Sequence, residues 1–238
     1  MQNQEQFSPI ILNIETSTNV CSVALSEGTN CLFKKSNADK MNHAALLSVY
    51  IDEALQILKS QSKKLDAVAV SSGPGSYTGL RIGVSTAKGL CYGYNIPLLA
   101  VNTLEVMFYT ASKLIENKEN TLFCPMIDAR RMEVYTTFFR ADGTLYREVS
   151  ADIISETSYS EILENNTVYF FGNGSDKCKP VLTHKNALFI GEIVPLAENI
   201  IELAVRNFSE NRFENVAYFE PFYLKEFQAT IPKKVSDK

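Results

Sequence analysis

The chain has 238 residues, 45% hydrophobic and 21% charged, with a formal net charge of -4, which is ordinary globular composition for one large domain or two smaller ones and excludes disorder along its length. The acidic balance, with Lys and Arg gathered only in small pairs (Lys34/Lys35, Lys63/Lys64, Arg130/Arg131, Lys233/Lys234), argues against a protein that grips nucleic acid by itself. No apolar run nears the roughly 20 residues that span a bilayer, the start lacks a signal-peptide pattern, and the five cysteines and two histidines are poor material for disulfides or a structural metal; the expectation is a cytoplasmic protein with no metal.

After a polar start, "IILNIE" from Ile10, "CSVALSE" from Cys21 and "NCLFKK" from Asn30 read as three strands, with connections tight enough for antiparallel neighbours. Asn42 suits the cap of a helix running to about Lys59, and "DAVAVSS" gives a fourth strand. The glycine-rich stretch "SSGPGSYTGLRIG" from Ser71 leads into a helix from about Thr78 to Tyr94; "IPLLAV" is a fifth strand, and Thr103 is placed to cap "LEVMFYTASKLI". This order of three strands followed by alternating helix and strand is that of a ribonuclease-H-like α/β fold.

The second half starts the order again. "TLFCPMIDA" repeats the first strand, "MEVYTTFFR" and "TLYREVS" form a hairpin across "ADG", and "SYSEILEN" is a short helix. The strand "TVYFFG", a helix near Asp176 to Leu182, the strand "ALFIG" and the amphipathic helix "PLAENIIELAVRNF" follow. Two tandem subdomains are expected, at 1–104 and 105–208, with an aromatic tail at 209–238 that packs back on the body.

Together "LNIETSTNVCSVAL", "SSGPGSYTGLRIGVSTAKGL", "PLLAVNTLEVM", "MIDARRMEVYTTFF" and "EPFYLKE", in order from about Ile10 to Glu226, resemble the TsaB (YeaZ) family. The resemblance implies two ribonuclease-H-like halves of the actin and sugar-kinase ATPase superfamily. It also implies a non-catalytic scaffold that dimerises with TsaD, the catalytic subunit, in forming threonylcarbamoyladenosine at position 37 of tRNAs reading codons that start with A. TsaE is implied as a further ATPase partner, and self-pairing when TsaD is missing. No cofactor is implied for this chain alone, and a nucleotide at the TsaD junction stays open. tRNA is met through the complex. The alternative is a stand-alone ATP-dependent phosphotransferase or metallopeptidase-like enzyme.

The glycine loop admits two readings. Gly73, Gly75, Ser76 and Thr78 stand at a strand-to-helix junction, where backbone N–H groups can cradle a phosphate. Yet Pro74 has no N–H and the lysine of a Walker motif is absent; the other reading is a turn whose glycines supply positive φ, with Ser76 or Thr78 as cap. In the helix that follows, Gly79, Gly83 and Ala87 recur every fourth residue, and an interior glycine costs about 1 kcal/mol against alanine. Either the face packs closely on its own sheet or a partner approaches it. The preceding helix has an apolar arc of about half its circumference, wider than one sheet requires. The expected partner-binding set is therefore Leu46, Tyr50, Ala54, Ile57, Gly79, Arg81, Ile82, Gly83, Thr86 and Ala87.

Catalytic candidates are few, and none is assigned. Glu15 and Asp128 end corresponding strands of the two halves, where ATPases and kinases place carboxylates, but such strand ends are also common places for capping residues. TsaD-type relatives bind a metal through two histidines four apart. The matching residues here are His43 and Leu47, and leucine cannot coordinate a metal. "FFGNGSDK", with Gly172, Gly174 and Lys177, reads equally as a turn or as an adenosine-side loop.

Overall fold

A computed structural model describes residues 7–38, 43–116, 119–191 and 193–225. The Asn42 cap, the Lys233/Lys234 pair and the end of the tail lie outside the described residues.

The first sheet contains β1 (Ile10–Glu15), β2 (Cys21–Glu27), β3 (Asn30–Asn37), β4 (Ala67–Gly73) and β5 (Leu98–Asn102), in the order β3-β2-β1-β4-β5. β1, β2 and β3 pair antiparallel, while β4 and β5 run parallel to β1. The second sheet is built from β6 (Thr121–Asp128), β7 (Glu133–Arg140), β8 (Leu145–Ile153), β9 (Thr167–Phe171) and β10 (Ala187–Phe189). Its order, β10-β9-β6-β7-β8, is the same topology repeated. The chain is thus α/β with two ribonuclease-H-like units.

The uninterrupted apolar runs are the central strands, because both faces of the sheet are covered. On one face α1 (His43–Ser60) and α2 (Tyr77–Tyr94) pack on Leu12, Ile14, Val68 and Val70. On the other, α3 (Thr103–Ser112) and α5 (Ala197–Ser209) cover Ile11, Ala67, Ala69 and Val101, with α5 contributing Ile200, Leu203 and Ala204. The helix that the repeat order puts at the end of the second unit therefore lies on the first sheet. α3 serves both sheets: Val106 joins the first core, while Leu104, Met107, Phe108 and Ala111 pack with Phe123, Ile127, Phe139 and Phe171 of the second. A boundary drawn at 104/105 falls inside this shared helix.

Local signals explain where elements start and stop. Asn102, not Thr103, caps α3: its backbone is still extended at the end of β5, and its side-chain oxygen accepts from Leu104 N at 2.9 Å and Glu105 N at 3.3 Å. Asn102→Ala is expected to lower stability by about 1 kcal/mol, read as a shifted urea midpoint. The helix expected near Asp176 to Leu182 shrinks to one 3-10 turn, Asp176–Cys178, because Pro180 has no N–H with which to continue it. α4 (Ser160–Asn165) is short and buries only Leu163.

The glycine loop and the candidate docking face

The junction between β4 and α2 is a packed turn. Gly73 has φ +105°, a left-handed value that glycine adopts without strain, and the Gly73–Pro74 peptide is cis. Of the loop glycines Gly73 alone has a positive φ; Gly75 and Gly79 are needed for a different reason. The segment after β1 lies against them so closely that a Cβ on Gly75 would overlap the carbonyl oxygen of Ser17, and one on Gly79 that of Thr16. Ser76 N donates to Ser17 O at 2.6 Å, and Thr16 Oγ1 donates to Gly79 O at 2.8 Å. Ser76 is the cap, its hydroxyl accepting from Gly79 N at 3.2 Å, while Thr78 lies exposed in the first turn.

This packing corrects part of the expected docking face. Gly79 and Gly83 are buried against the chain's own β1 end, with the missing Cβ of Gly83 facing Thr16 Oγ1 and Ile14, and Ala87 is buried in the core beside them. Tyr50 and Ala54 are likewise buried, in the core beneath α1. The wide apolar arc of α1 has an internal use, because it packs on β3 as well as on the sheet centre. Leu46 and Ile57 are half-buried against a core that also takes Leu32 and Phe33, Lys35 pairs with Glu53, and its ammonium lies 5.5 Å from the Tyr50 ring centre.

What remains outward is a different set. On α2, Thr78, Arg81, Ser85, Gly89, Tyr92 and Gly93 are exposed, and Ile82 and Thr86 are half-buried beside them. Tyr92 is 86% exposed, and a Cβ on Gly89 or Gly93 would meet no atom of another described part of the chain within 4 Å. On α1, Ala44, Ala45 and Val49 are open. Arg81 extends over Tyr77, 5.4 Å from its ring centre, and donates to its hydroxyl at 3.2 Å. The sequence held the signal that separates these glycines: at 100° per residue Gly89 stands about 240° round the helix from Gly83, well off the buried stripe.

The aromatic tail completes this surface. Glu214 bridges to Leu98 beside β5, Phe222 N donates to Ser72 O at 2.7 Å, and Lys88 Nζ donates to the carbonyls of Ala217 (3.2 Å) and Phe219 (2.9 Å). The Tyr223 and Tyr77 rings stand 4.9 Å apart, and Lys225 reaches Glu133 in the second unit. Between α2 and this tail runs an open groove lined by Lys88, Gly89, Tyr92, Asn215, Val216 and Ala217.

The two symmetric carboxylates occupy unlike surroundings. Glu15 is fully buried, and burial pushes its carboxyl above the usual range, against smaller opposing hydrogen bonds from Ser17, Ser71 and Thr16. Asp128 is exposed and bonded to Lys177, which also donates to Glu133 O at 2.6 Å; Asn173 accepts from Asp128 N at 3.0 Å. Gly172 has φ +99°, and Gly174 lies against the backbone of Ile127 and Asp128, so both glycines have turn and packing reasons. His43 opens α1, and Leu47 is buried in the core. Among the described residues no group of three or more His, Cys, Asp or Glu is placed to hold a metal, and no helix is long and apolar enough to cross a membrane.

Comparison with known proteins accounts for this arrangement. The family model for TsaD, tRNA N6-adenosine threonylcarbamoyltransferase, matches residues 37–234. The tRNA threonylcarbamoyladenosine biosynthesis protein TsaB of Escherichia coli is 30% identical over 223 residues, 90% of this chain and 94% of that protein. The Haemophilus influenzae protein of the same description is 30% identical over 227 residues, covering 90% and 93%. Among solved structures, YeaZ from Pseudomonas aeruginosa superposes with a TM-score of 0.74 over 91% of this chain and all of that one, at 23% identity. With near full-length identity to curated relatives and the same doubled fold, the chain belongs to the TsaB (YeaZ) family of tRNA threonylcarbamoyladenosine biosynthesis proteins.

Proposed function

We propose that the chain is a non-catalytic subunit that docks on a TsaD-type catalytic subunit and supports formation of threonylcarbamoyladenosine at position 37 of tRNAs reading codons that start with A. TsaE joins that complex as a further partner, tRNA is met through the complex, and the chain pairs with itself when TsaD is missing. The observation that carries this reading is the outward face of α2. Gly89 weakens the helix by about 1 kcal/mol and Gly93, in its last turn, by less, and among the described residues no packing requires either. Beside them Tyr92 is left in solvent at the mouth of an apolar groove. Small residues flanked by an exposed aromatic suit a helix arriving from another polypeptide, with the aromatic as anchor. The docking set becomes Arg81, Ile82, Ser85, Thr86, Gly89, Tyr92 and Gly93 on α2, with Val49 of α1 at its margin.

The hydrogen bonding of the glycine loop speaks against a catalytic role. The N–H groups of Ser76 and Gly79 are engaged by Ser17 O and the Ser76 hydroxyl, so the turn is closed on its own chain instead of being open toward a phosphate. Glu15 is enclosed and Asp128 is tied to Lys177. The isolated chain is therefore expected neither to hydrolyse ATP at an enzymatic rate nor to form threonylcarbamoyladenosine, and to restore product formation when added to its TsaD and TsaE partners. Turnover by the chain alone, abolished by Glu15→Ala or Asp128→Ala, would overturn the scaffold reading in favour of a stand-alone enzyme.

A further inference from the structure

One acidic side chain is enclosed on the face of the first sheet beneath α3 and α5. Alternation along β1 puts Ile11, Asn13 and Glu15 on that face and Leu12 and Ile14 on the other. Strand pairing sets Glu15 opposite Ser22 of β2 and, one step beyond the Ile14–Val70 pair, beside Ser71 of β4. Ser22 Oγ in turn accepts from Ala197 N at 2.8 Å, so this end of the sheet lies under the start of α5. Glu15, Ser17 and Ser71 are all fully buried.

The hydrogen bonding around the carboxyl is incomplete. Glu15 Oε1 accepts from Ser17 N at 2.6 Å. Oε2 has no partner among the described residues, nor do the hydroxyls of Ser17 and Ser71, although both stand close enough to act on the carboxyl. Three unsatisfied oxygens in one closed place call for a shared proton or a bound species.

Among the described residues no cation compensates a charge there. On the covering helices, Glu198, Glu202 and Arg206 of α5 and Glu105 of α3 are engaged by Lys34, Lys113 and each other. β4 and the 16–19 turn carry no titratable side chain. On β2, Glu27 pairs with Lys63, and burial raises the thiol of Cys21 to about 11, so it stays neutral. On α2, Arg81 lies exposed against Tyr77 and Lys88 is bonded to the tail. An ionised carboxylate would be buried among neutral donors alone, with no counter-charge among the described residues, which is a costly state. A neutral acid avoids that cost, because only the charged form is penalised by burial without a cation.

We propose that Glu15 is a neutral carboxylic acid in the folded protein at neutral pH, its Oε2–H donating to the Ser71 hydroxyl and tying β1 to β4 beneath the start of α5, so that this seam loosens as the pH rises. The upward push of burial on the carboxyl agrees with that assignment. In the unfolded chain the same group ionises near the ordinary glutamate value. The stabilisation is therefore complete below that value and is lost progressively as the pH climbs toward the folded-state value, unfolding releasing one proton throughout the window.

The test compares the full chain with Glu15→Gln. The infrared spectrum at neutral pH is expected to show the carbonyl band of a protonated carboxyl that is missing from the variant. The ratio of the two proteins' unfolding constants, wild type over variant, is expected to grow about tenfold per pH unit across the window above the ordinary glutamate value. Equal pH slopes with no protonated band would overturn the proposal. So would a sodium- or potassium-dependent stabilisation lost in the variant, which would make the group an ionised ligand of a bound cation. Should Glu15→Gln not fold, the wild-type band and its shift in Ser71→Ala decide the matter alone.

Discussion

Gly79→Ala lowers the melting temperature of the isolated chain by about 6–12 °C, corresponding to about 3 kcal/mol of overpacking in a chain of this size. The alanine Cβ would overlap the carbonyl oxygen of Thr16, a backbone atom that cannot swing aside. Moving the β1 end away would also break the bond from Thr16 Oγ1 to Gly79 O and strain that from Ser76 N to Ser17 O. Gly83→Leu is expected to act in the same direction, since its Cβ meets a Thr16 hydroxyl already committed to Gly79. Gly89→Ala is the control: its Cβ projects into open space, and the gain in helix propensity is expected to raise stability by about 0.5–1 kcal/mol. Thermal melts of the three variants check the ordering. A Gly79→Ala protein that melts with the wild type would mean that the loop does not pack on the end of β1.

The contrast between these glycines explains how far the sequence could be read. Strand and helix order was legible because the central strands are unbroken apolar runs and the helices show their period, and the repeat of that order gave two sheets of one topology. Cap positions were less legible. Asn102 and Thr103 are both good caps, and only the backbone at the end of β5 decides between them. The placement of α5 on the first sheet was not legible, because an amphipathic stripe such as Ile200, Leu203 and Ala204 states that a face is buried without stating where. For the same reason the stripe of Gly79, Gly83 and Ala87 announced close approach without naming the approaching chain, which at the two glycines proved to be the protein's own Thr16 and Ile14. The tail was expected to return to the body, yet its partners Ser72, Lys88 and Glu133 carry no motif and come together only in three dimensions.

Gly89→Leu and Tyr92→Asp are each expected to weaken pairing with the TsaD-type subunit by at least about 2 kcal/mol, roughly thirtyfold in Kd, with self-association falling in step. The two changes act by different means. Leucine at Gly89 interposes a side chain where a partner's helix would approach the backbone, whereas aspartate at Tyr92 removes an aromatic anchor and leaves a charge to be desolvated at the edge of the Val216 and Ala217 groove. Neither position is buried in the isolated chain, so both variants should fold: Gly89→Leu should melt slightly above the wild type and Tyr92→Asp slightly below it, because a negative charge in the last turn opposes the helix dipole. This separates loss of docking from loss of folding, which substitutions at Tyr50, Ala54 or Gly83 cannot do, because those residues are core. Sedimentation of each variant, alone and with the TsaD-type subunit of the same organism, reads the pairing directly. Product formation in the reconstituted system should fall with it and recover at high subunit concentration if, as proposed, the chemistry belongs to the partner. Wild-type pairing by both variants would move the docking surface off α2 altogether and leave its exposed glycines without a function.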